Sequence, residues 1–262
     1  MSGIFTGVGV GPGDPELMTL KAVRAVEECG VIAIPVSDST LTEPVYESTG
    51  NPETQNTAER EQCTSYRKRC VAYQIAAGAV DRIAEKDRIY LPMPMIKEKD
   101  RLKAIHDRDA AAVAELLDQG KNVVFLTLGD PTVYSTCMYV HKRLQRSGYV
   151  TRIVPGIPAF CAAAARMDIP LVENRQELHV LPASYHIEES LDLPGTKVLM
   201  KAGRRMDEVK RLLTEKELDA VMVENCGMEN EKLYFGAQEI PEQAGYYSLL
   251  VVKEKQTGGR KG

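Results

Sequence analysis

The segment from Ile4 to Val36 limits the possible folds of this chain more than any other stretch. The apolar, glycine-punctuated run Ile4–Gly11 predicts a buried strand that ends in a tight turn. Asp14 and Pro15 then suit the N-cap and the first position of a helix. Apolar residues recur every three positions along this helix and form one face, at Leu17, Leu20, Val23 and Val26. With a second strand at Val31–Val36, the order is strand, helix, strand, which is typical of a βαβ unit in an α/β fold.

The rest of the chain alternates strands and helices in the same way, with one exception. Residues 38–70 are rich in Ser, Thr, Glu, Asn and Gln and lack a periodic apolar face, which predicts a long loop or a partly disordered insert. Further strands are predicted at Arg88–Leu91, Asn122–Leu128, Thr151–Val154, Leu178–Leu181, Lys197–Lys201, Ala220–Glu224, Lys232–Phe235 and Tyr246–Val252.

These elements predict an α/β protein of two domains. We place the boundary near Gly120, which gives an N-terminal domain of residues 1–120 and a C-terminal domain of residues 121–254. The last two predicted strands are separated by turns, so antiparallel pairing and a mixed sheet are expected in the second domain. Residues 255–262 are predicted to form a flexible tail.

Composition excludes several classes of protein. The 262 residues are 44% hydrophobic and 27% charged, which is typical of a globular chain with a full core. A net charge of -4 argues against nucleic-acid binding, and no apolar run is long enough to span a membrane. Six scattered cysteines without a C-x-x-C pair, in a chain without a visible signal sequence, predict reduced thiols and a cytoplasmic protein. The four histidines show no metal-ligand spacing, so no metal site is predicted.

Three loops are the candidates for ligand binding, because ligands of open α/β sheets bind beyond the carboxyl ends of the strands. They are Gly11–Asp14, Gly129–Val133 and Gly156–Phe160. Asp130 could cap a helix that starts near Pro131, or contact a ligand that Gly129 allows to approach. The small residues from Gly156 onwards could pack closely on the sheet or leave room for a flat ligand.

A dinucleotide fingerprint is disfavoured at the first loop. Depending on the register, the third glycine of G-x-G-x-x-G is replaced by Pro12 or by Asp14. A carboxylate at that position would repel a pyrophosphate, which argues against a nucleotide-binding oxidoreductase.

Taken together, the three loops resemble those of the tetrapyrrole methylase family. The family pattern is G-x-G-P-G-D, then G-D-P, then V-P-G-x-x-(A/S), and here these motifs stand at Gly9–Asp14, Gly129–Pro131 and Val154–Ala159. The resemblance extends from about residue 3 to residue 253. It is greatest to the branch that methylates carbon 20 of precorrin-2 or cobalt-precorrin-2 in cobalamin biosynthesis, through the stretches Asp14–Ala22, Phe125–Thr136, Val198–Arg205 and Ser248–Val252.

This resemblance implies a two-domain enzyme, usually a homodimer, that binds S-adenosylmethionine in the crevice between its domains. The residues that it implies for the cofactor are Pro12, Leu128, Gly129, Asp130, Val133, Ser135, Pro158, Ala159, Lys201 and Cys226. The many carboxylates of a tetrapyrrole suit Lys201, Arg204 and Arg205, and also the run Arg67–Arg69 unless that run is only solvated surface charge. Asp14 and Tyr134 are candidates for removing the proton that carbon 20 must lose after methylation.

Two other functions remain compatible with these residues. One is the same fold acting on another tetrapyrrole carbon or on a different acceptor. The other is a tetrapyrrole carrier without enzymatic activity. Tight binding of S-adenosylmethionine would separate a methyltransferase from a carrier.

Overall fold

The computed structural model describes residues 1–50, 56–183 and 187–253, except for the side chain of Arg204. The chain forms two compact units that divide between Pro158 and Ala159. The boundary predicted near Gly120 is therefore wrong, because the strand that follows it pairs directly with the first strand of the chain. The predicted tail, residues 255–262, lies outside the described residues.

The first unit is built on a six-stranded sheet in the order β3-β4-β2-β5-β1-β6. All neighbouring strands are parallel except β3, which runs antiparallel to β4 at one edge. The strands are β1 (Phe5–Gly9), β2 (Val31–Val36), β3 (Val45–Glu47), β4 (Asp87–Pro92), β5 (Val123–Thr127) and β6 (Thr151–Val154). Most of their apolar residues are buried, as expected for a parallel sheet covered on both faces.

Helices cover both faces of this sheet. They are α1 (Leu20–Glu28), α2 (Thr57–Arg69), α3 (Val71–Ala79), α4 (Lys99–Asp118) and α5 (Cys137–Arg146). One face packs against residues of α1, α2 and α3, and the other against residues of α4 and α5. The first unit is therefore a three-layer, doubly wound arrangement, whose strand ends can carry a ligand site.

The prediction of a loop over residues 38–70 is wrong for residues 45–47 and 57–69. It contains β3 and the helix α2, while residues 51–55 lie outside the described part of the chain. The helix begins with a capping box between Asn56 and Glu59, and it buries Cys63 and Tyr66 in the core. These two buried residues anchor a helix whose other residues are mostly polar. Two apolar positions are too few to give a visible periodicity in the sequence.

The side chain of Glu47 connects this segment to the sheet. One of its carboxylate oxygens, Oε2, accepts hydrogen bonds from Arg67 at 3.3 Å, from Arg88 at 3.0 Å and from the hydroxyl of Tyr90 at 2.7 Å. Arg88 and Tyr90 are buried on β4, so these bonds fix both β3 and the end of α2 against the sheet.

Two helices begin later than predicted. Asp14 caps a short 3-10 turn at Pro15–Leu17, and the N-cap of α1 is Thr19, whose hydroxyl accepts from the amide of Ala22. As a result Leu20 is exposed, and Ala22 and Val26 form the buried face of α1 instead. In the same way α5 starts at Cys137 rather than at Pro131.

The second unit contains a mixed five-stranded sheet in the order β10-β9-β11-β8-β7, as the turn-separated strands predicted. Only β7 and β8 pair in parallel; the other described pairs are antiparallel. The strands are β7 (Leu178–Pro182), β8 (Thr196–Met200), β9 (Asp219–Glu224), β10 (Lys232–Phe235) and β11 (Ser248–Lys253), and the helices are α6 (Ala159–Arg166), α7 (Ile187–Leu191) and α8 (Met206–Glu215). Residues of α6 pack on one face, and residues of α7 and α8 pack on the other.

No helix in the described ranges is both long enough and apolar enough to cross a membrane.

Candidate functional site

The three glycine-rich loops meet at one edge of the first sheet. They follow β1, β5 and β6, which are neighbours in the sheet, so their carboxyl ends lie side by side. Gly11 and Gly129 form an isolated antiparallel bridge, in which their amides donate to each other's carbonyl oxygens over 3.3 and 2.7 Å. The structure thus brings together the loops that the sequence singled out separately.

Asp130 holds two of these loops together. Its Oδ1 accepts from the amide of Thr132 at 2.8 Å, which closes an Asx turn, and from the Thr132 hydroxyl at 2.5 Å. Its Oδ2 accepts from the amide of Gly156, in the loop after β6, at 3.0 Å. The side chain is buried, and α5 begins only at Cys137, so Asp130 is not the cap of that helix.

The glycines of the loops are required by packing between backbones. A Cβ atom on Gly9 would lie 2.5 Å from the carbonyl oxygen of Gly129, and one on Gly156 would lie 2.1 Å from the same atom. Gly129 itself has a φ of 70°, which a β-branched residue adopts only with strain. Close packing is therefore the interpretation that the structure supports at Gly156, and Gly129→Val would strain the fold whatever it does to a ligand.

The loop after β5 is also fixed at its far end. The hydroxyl groups of Ser135 and the buried Thr127 are 2.7 Å apart, and Ser135 Oγ accepts from the amide of Cys137 at 3.1 Å. Between the Asp130 and Ser135 contacts, Tyr134 has a φ of 49° and an exposed fraction of 45%. A tyrosine in the left-handed region is uncommon, and such strain is concentrated at functional sites.

Asp14 has a structural role that the geometry makes explicit. Its Oδ1 accepts from the amide of Glu16 at 2.9 Å, which caps the 3-10 turn after the first loop. Pro12, two residues earlier, is buried. The cap explains an aspartate at this position without any catalytic role.

The edge also offers apolar surface suited to an adenosyl group. Leu128, Val133 and Pro158 are each half-buried and lie in the loops that follow β5 and β6. Ligand sites are mostly apolar with a few polar groups, and many of those are backbone amides and carbonyls. These residues therefore fit a cofactor that combines an adenine ring with an amino-acid tail.

Three further residues implied for the cofactor lie in the second unit. Ala159 begins α6, Lys201 follows β8 and Cys226 lies just beyond β9. Lys201 has a φ of 61° and an exposed side chain. Burial and the neighbouring charge of Glu231 raise the pKa of the Cys226 thiol to about 11, so this cysteine is a neutral thiol at neutral pH.

The basic residues proposed for tetrapyrrole carboxylates differ in how far they are already engaged. Arg205 pairs with Glu208 at 2.5 Å, and the side chain of Arg204 lies outside the described part. In the run Arg67–Arg69, Arg67 pairs with Glu47, and Arg69 pairs with Asp38 at 2.6 Å. These pairs within the first unit favour a structural role for both arginines.

Sequence reasoning missed the two hydroxyl partners of this site. Thr132 stands two residues after Asp130, which is the spacing of an Asx turn and could have been recognised. Thr127 and Ser135 are eight residues apart, and only the fold shows that they touch. In the part of the chain that the structure describes, no group of three or more His, Cys, Asp or Glu is placed to hold a metal ion.

Comparison with known proteins agrees with this arrangement. The family model of Tetrapyrrole (Corrin/Porphyrin) Methylases matches residues 5–240. A probable cobalt-precorrin-2 C(20)-methyltransferase of Methanocaldococcus jannaschii is 31% identical over 94% of both chains. A precorrin-2 C(20)-methyltransferase of Sinorhizobium sp is 30% identical over 96% of this chain and 97% of the relative.

A solved structure shares the fold. It is the uroporphyrin-III C-methyl transferase of Thermus thermophilus complexed with S-adenosylhomocysteine, with a TM-score of 0.63 and 20% identity over 96% of this chain and 98% of that chain. The fold and the match to the family model together establish that this chain belongs to the tetrapyrrole (corrin/porphyrin) methylases.

Proposed function

We propose that this protein transfers a methyl group from S-adenosylmethionine to carbon 20 of precorrin-2 or cobalt-precorrin-2, a step of cobalamin biosynthesis. The observation that carries the proposal is the agreement of two relatives that are named for the same carbon atom. Each is at least 30% identical to this chain over more than nine-tenths of both chains. These relatives differ in whether their names include cobalt, so the assay below supplies both forms of the substrate.

The cofactor would be held in the first unit by the loops after β1, β5 and β6. Leu128, Gly129, Val133 and Pro158 would contact it, beside the buried Pro12. Ala159 and Cys226 are the corresponding candidates in the second unit. S-adenosylmethionine supplies a methyl group that its sulfonium charge has already activated for transfer to carbon.

The buried Asp130 and the half-buried Ser135 serve this site differently from the exposed residues. Their side-chain oxygens bond within the first unit, so we assign them to holding the loops rather than to touching the ligand. Fixed loops bring the methyl donor and acceptor into line without further ordering, which can supply much of the acceleration.

Of the two residues that the sequence suggested for removing the proton of carbon 20, Tyr134 remains, and its phenol would pass its own proton to water as it accepts the one from carbon 20. Asp14 is assigned to capping, whereas Tyr134 is 45% exposed and adopts a left-handed backbone conformation in the loop after β5. We therefore place Tyr134 in contact with the tetrapyrrole, and Arg205 and Arg204 near its carboxylates.

We also propose that the protein is a homodimer of the cytoplasm. The dimer rests on the family resemblance, and the cytoplasmic location on the six free cysteines, which suit a reducing compartment. Light scattering coupled to size-exclusion chromatography would measure the mass of the assembly, and a monomeric mass would contradict the dimer.

The proposal is tested by incubating the protein under argon with S-adenosylmethionine and either metal-free or cobalt-loaded precorrin-2. Mass spectrometry should show one added methyl group on the tetrapyrrole, and S-adenosylhomocysteine as the second product. A matched reaction with S-adenosylhomocysteine in place of the methyl donor should give no product. Tight binding of the tetrapyrrole without any methylation would instead identify a carrier.

A further inference from the structure

Two adjacent exposed tyrosines lie at one end of the strands of the second sheet, just before the central strand β11. Tyr246 and Tyr247 directly precede β11 and are 48% and 38% exposed. Their rings are 5.3 Å apart in an edge-to-face arrangement. Because β11 runs antiparallel to both β8 and β9, its start lies at the same edge as the ends of those strands. The tyrosines therefore share this edge with Lys201.

The backbone at the ends of β8 and β9 turns through left-handed conformations. Lys201 and Asn225, which follow β8 and β9, have φ angles of 61° and 55°. A lysine in the left-handed region is disfavoured and persists only where the surroundings fix it, whereas asparagine tolerates this region. Here the amide of Asn225 donates to the carbonyl oxygen of Tyr247 at 3.0 Å, which ties one strand end to the aromatic pair.

The segment before the tyrosines is anchored as well. Glu224 Oε1 accepts from the amide of Gly245 at 2.6 Å, and the Ser248 hydroxyl donates to the carbonyl oxygen of Gly245 at 2.7 Å. A Cβ on Gly203 would lie 2.5 Å from that same carbonyl oxygen, so the β8 loop packs directly against this segment. The aromatic pair is thus presented on a rigid base rather than on a loose loop.

Charge is placed next to these rings. The ammonium nitrogen of Lys201 lies 5.9 Å from the centre of the Tyr246 ring, within the range of a cation–π contact. Exposed aromatic rings can pack against a tetrapyrrole macrocycle by a face or by an edge, and a neighbouring lysine suits a carboxylate. A tetrapyrrole combines both features in one molecule.

We propose that Lys201, Tyr246 and Tyr247 form a platform for the tetrapyrrole, in which the tyrosine rings contact the macrocycle and Lys201 pairs with one of its carboxylates. The inference rests on the proposed function, since it takes its ligand from there. It assigns the side chain of Lys201 to the substrate, whereas the sequence made this lysine a candidate for both the cofactor and the tetrapyrrole carboxylates. The amino-acid tail of the cofactor also carries a carboxylate, so the test must separate the two ligands.

The absence of tryptophan from this chain allows a direct test. Tyr246→Trp would place the sole tryptophan on the platform, and Phe235→Trp would place one at a matched exposed site on β10, where Phe235 is 51% exposed. The quenching of each tryptophan's fluorescence by acrylamide is then measured under argon from the fluorescence lifetime. Saturating metal-free precorrin-2 should reduce the quenching constant at position 246 at least about threefold and leave position 235 unchanged, and S-adenosylhomocysteine alone should change neither.

Several results would overturn the platform. Protection of position 246 by S-adenosylhomocysteine alone would assign the edge to the cofactor, and protection that grows with protein concentration would assign it to a second copy of the chain. If bound precorrin-2 leaves the quenching at position 246 unchanged while the wild-type protein still methylates, the platform is wrong and the proposed function stands. A wild-type protein that neither binds nor methylates precorrin-2 would remove the proposed function together with the platform.

Kinetics give a second, independent readout. Lys201→Asn removes the charge but keeps a residue that tolerates positive φ, so it separates charge from backbone strain. Lys201→Asn and Tyr246→Ala should each raise KM for the tetrapyrrole roughly tenfold, with KM for S-adenosylmethionine unchanged. Phe235→Ala is the control, with no effect on either constant. A rise in the cofactor KM alone would contradict the assignment.

Discussion

The carboxylate of Asp130 accepts a hydrogen bond from the backbone amide of Gly156 over 3.0 Å, across two loops that are 26 residues apart in the sequence. The same carboxylate closes the Asx turn with Thr132. The loop after β5 is therefore held to the loop after β6 by one buried side chain, beside the residues proposed for the cofactor.

Asp130→Asn should destabilise the protein by about 1–3 kcal/mol. The asparagine oxygen can still accept from Thr132, but its amino group would then face the donor of Gly156. Affinity for S-adenosylhomocysteine should fall in parallel, as the two loops separate. Chemical denaturation and calorimetric titration measure the two effects, with Thr132→Val as the control that removes only the hydroxyl contact. Full stability with lost affinity would make Asp130 a direct ligand instead.

Substitutions at Tyr134 should separate function from folding. Tyr134→Phe keeps the ring and should slow turnover by about 10²-fold or more if the phenol moves the proton of carbon 20. Tyr134→Gly should raise the thermal stability, because glycine adopts a φ of 49° without strain, while activity is lost. Steady-state kinetics and thermal unfolding together check this pair. An unchanged turnover rate in the phenylalanine variant would exclude the hydroxyl group from the chemistry.

Asp14 is expected to act only as a cap. Asparagine caps about as well as aspartate, so Asp14→Asn should leave the free energy of unfolding nearly unchanged. The turnover rate should stay within about twofold of the wild-type rate. Asp14→Ala should cost roughly 1 kcal/mol of stability, because the amide of Glu16 loses its acceptor. If the asparagine variant folds normally but turns over about 10²-fold more slowly, or slower still, Asp14 is a general base and the cap is not its only role.

Asp109 is a buried carboxylate outside the proposed site. Both of its oxygens lack a hydrogen-bond partner, and the nearest charge partner is His106 Nδ1, 3.7 Å away on the same helix. Burial raises the pKa of Asp109, and His106 only partly opposes this. The folded state thus binds this proton more tightly than the unfolded state, so the stabilisation is complete at acid pH and is lost as pH rises through the folded pKa.

Asp109→Asn should therefore raise the stability at neutral pH and bring little or no gain near pH 4, where the carboxyl group is protonated. Thermal unfolding of the variant and the wild type between about pH 4 and pH 8 measures the difference. Asp81→Asn makes the same charge change at an exposed position and should show no such trend. A stability loss at neutral pH would mean that the ionised Asp109 is well compensated in the folded protein.

Much of this architecture could be read from local patterns. The buried strands of the first sheet are continuous apolar runs, so β1, β2 and β5 could be predicted from hydrophobicity alone. The helix α2 could not, because only Cys63 and Tyr66 are buried on it and its other residues are polar. Its start at Asn56 and Glu59 does carry a capping signal, although such signals say little without an apolar face.

The boundary between the units depends on pairing rather than on composition. Gly120 ends α4 in a turn with a φ of 79°, which has the features of a linker. Yet β5 inserts between β1 and β2, and no local property of Val123–Thr127 specifies those partners. The candidate site shows the same limit of local patterns. Its loops could be predicted from their motifs, but the hydrogen bond from the Gly156 amide to Asp130 could be seen only in the folded structure.

The most direct test of the proposed function is the position of the transferred methyl group. Precorrin-2 would be incubated under argon with S-adenosylmethionine that carries 13C in its methyl group, and the product analysed by carbon NMR. The proposed function predicts one new labelled methyl group, bonded to carbon 20 of the macrocycle. A labelled methyl group on any other carbon, or an unlabelled tetrapyrrole recovered after incubation with saturating methyl donor, would contradict it.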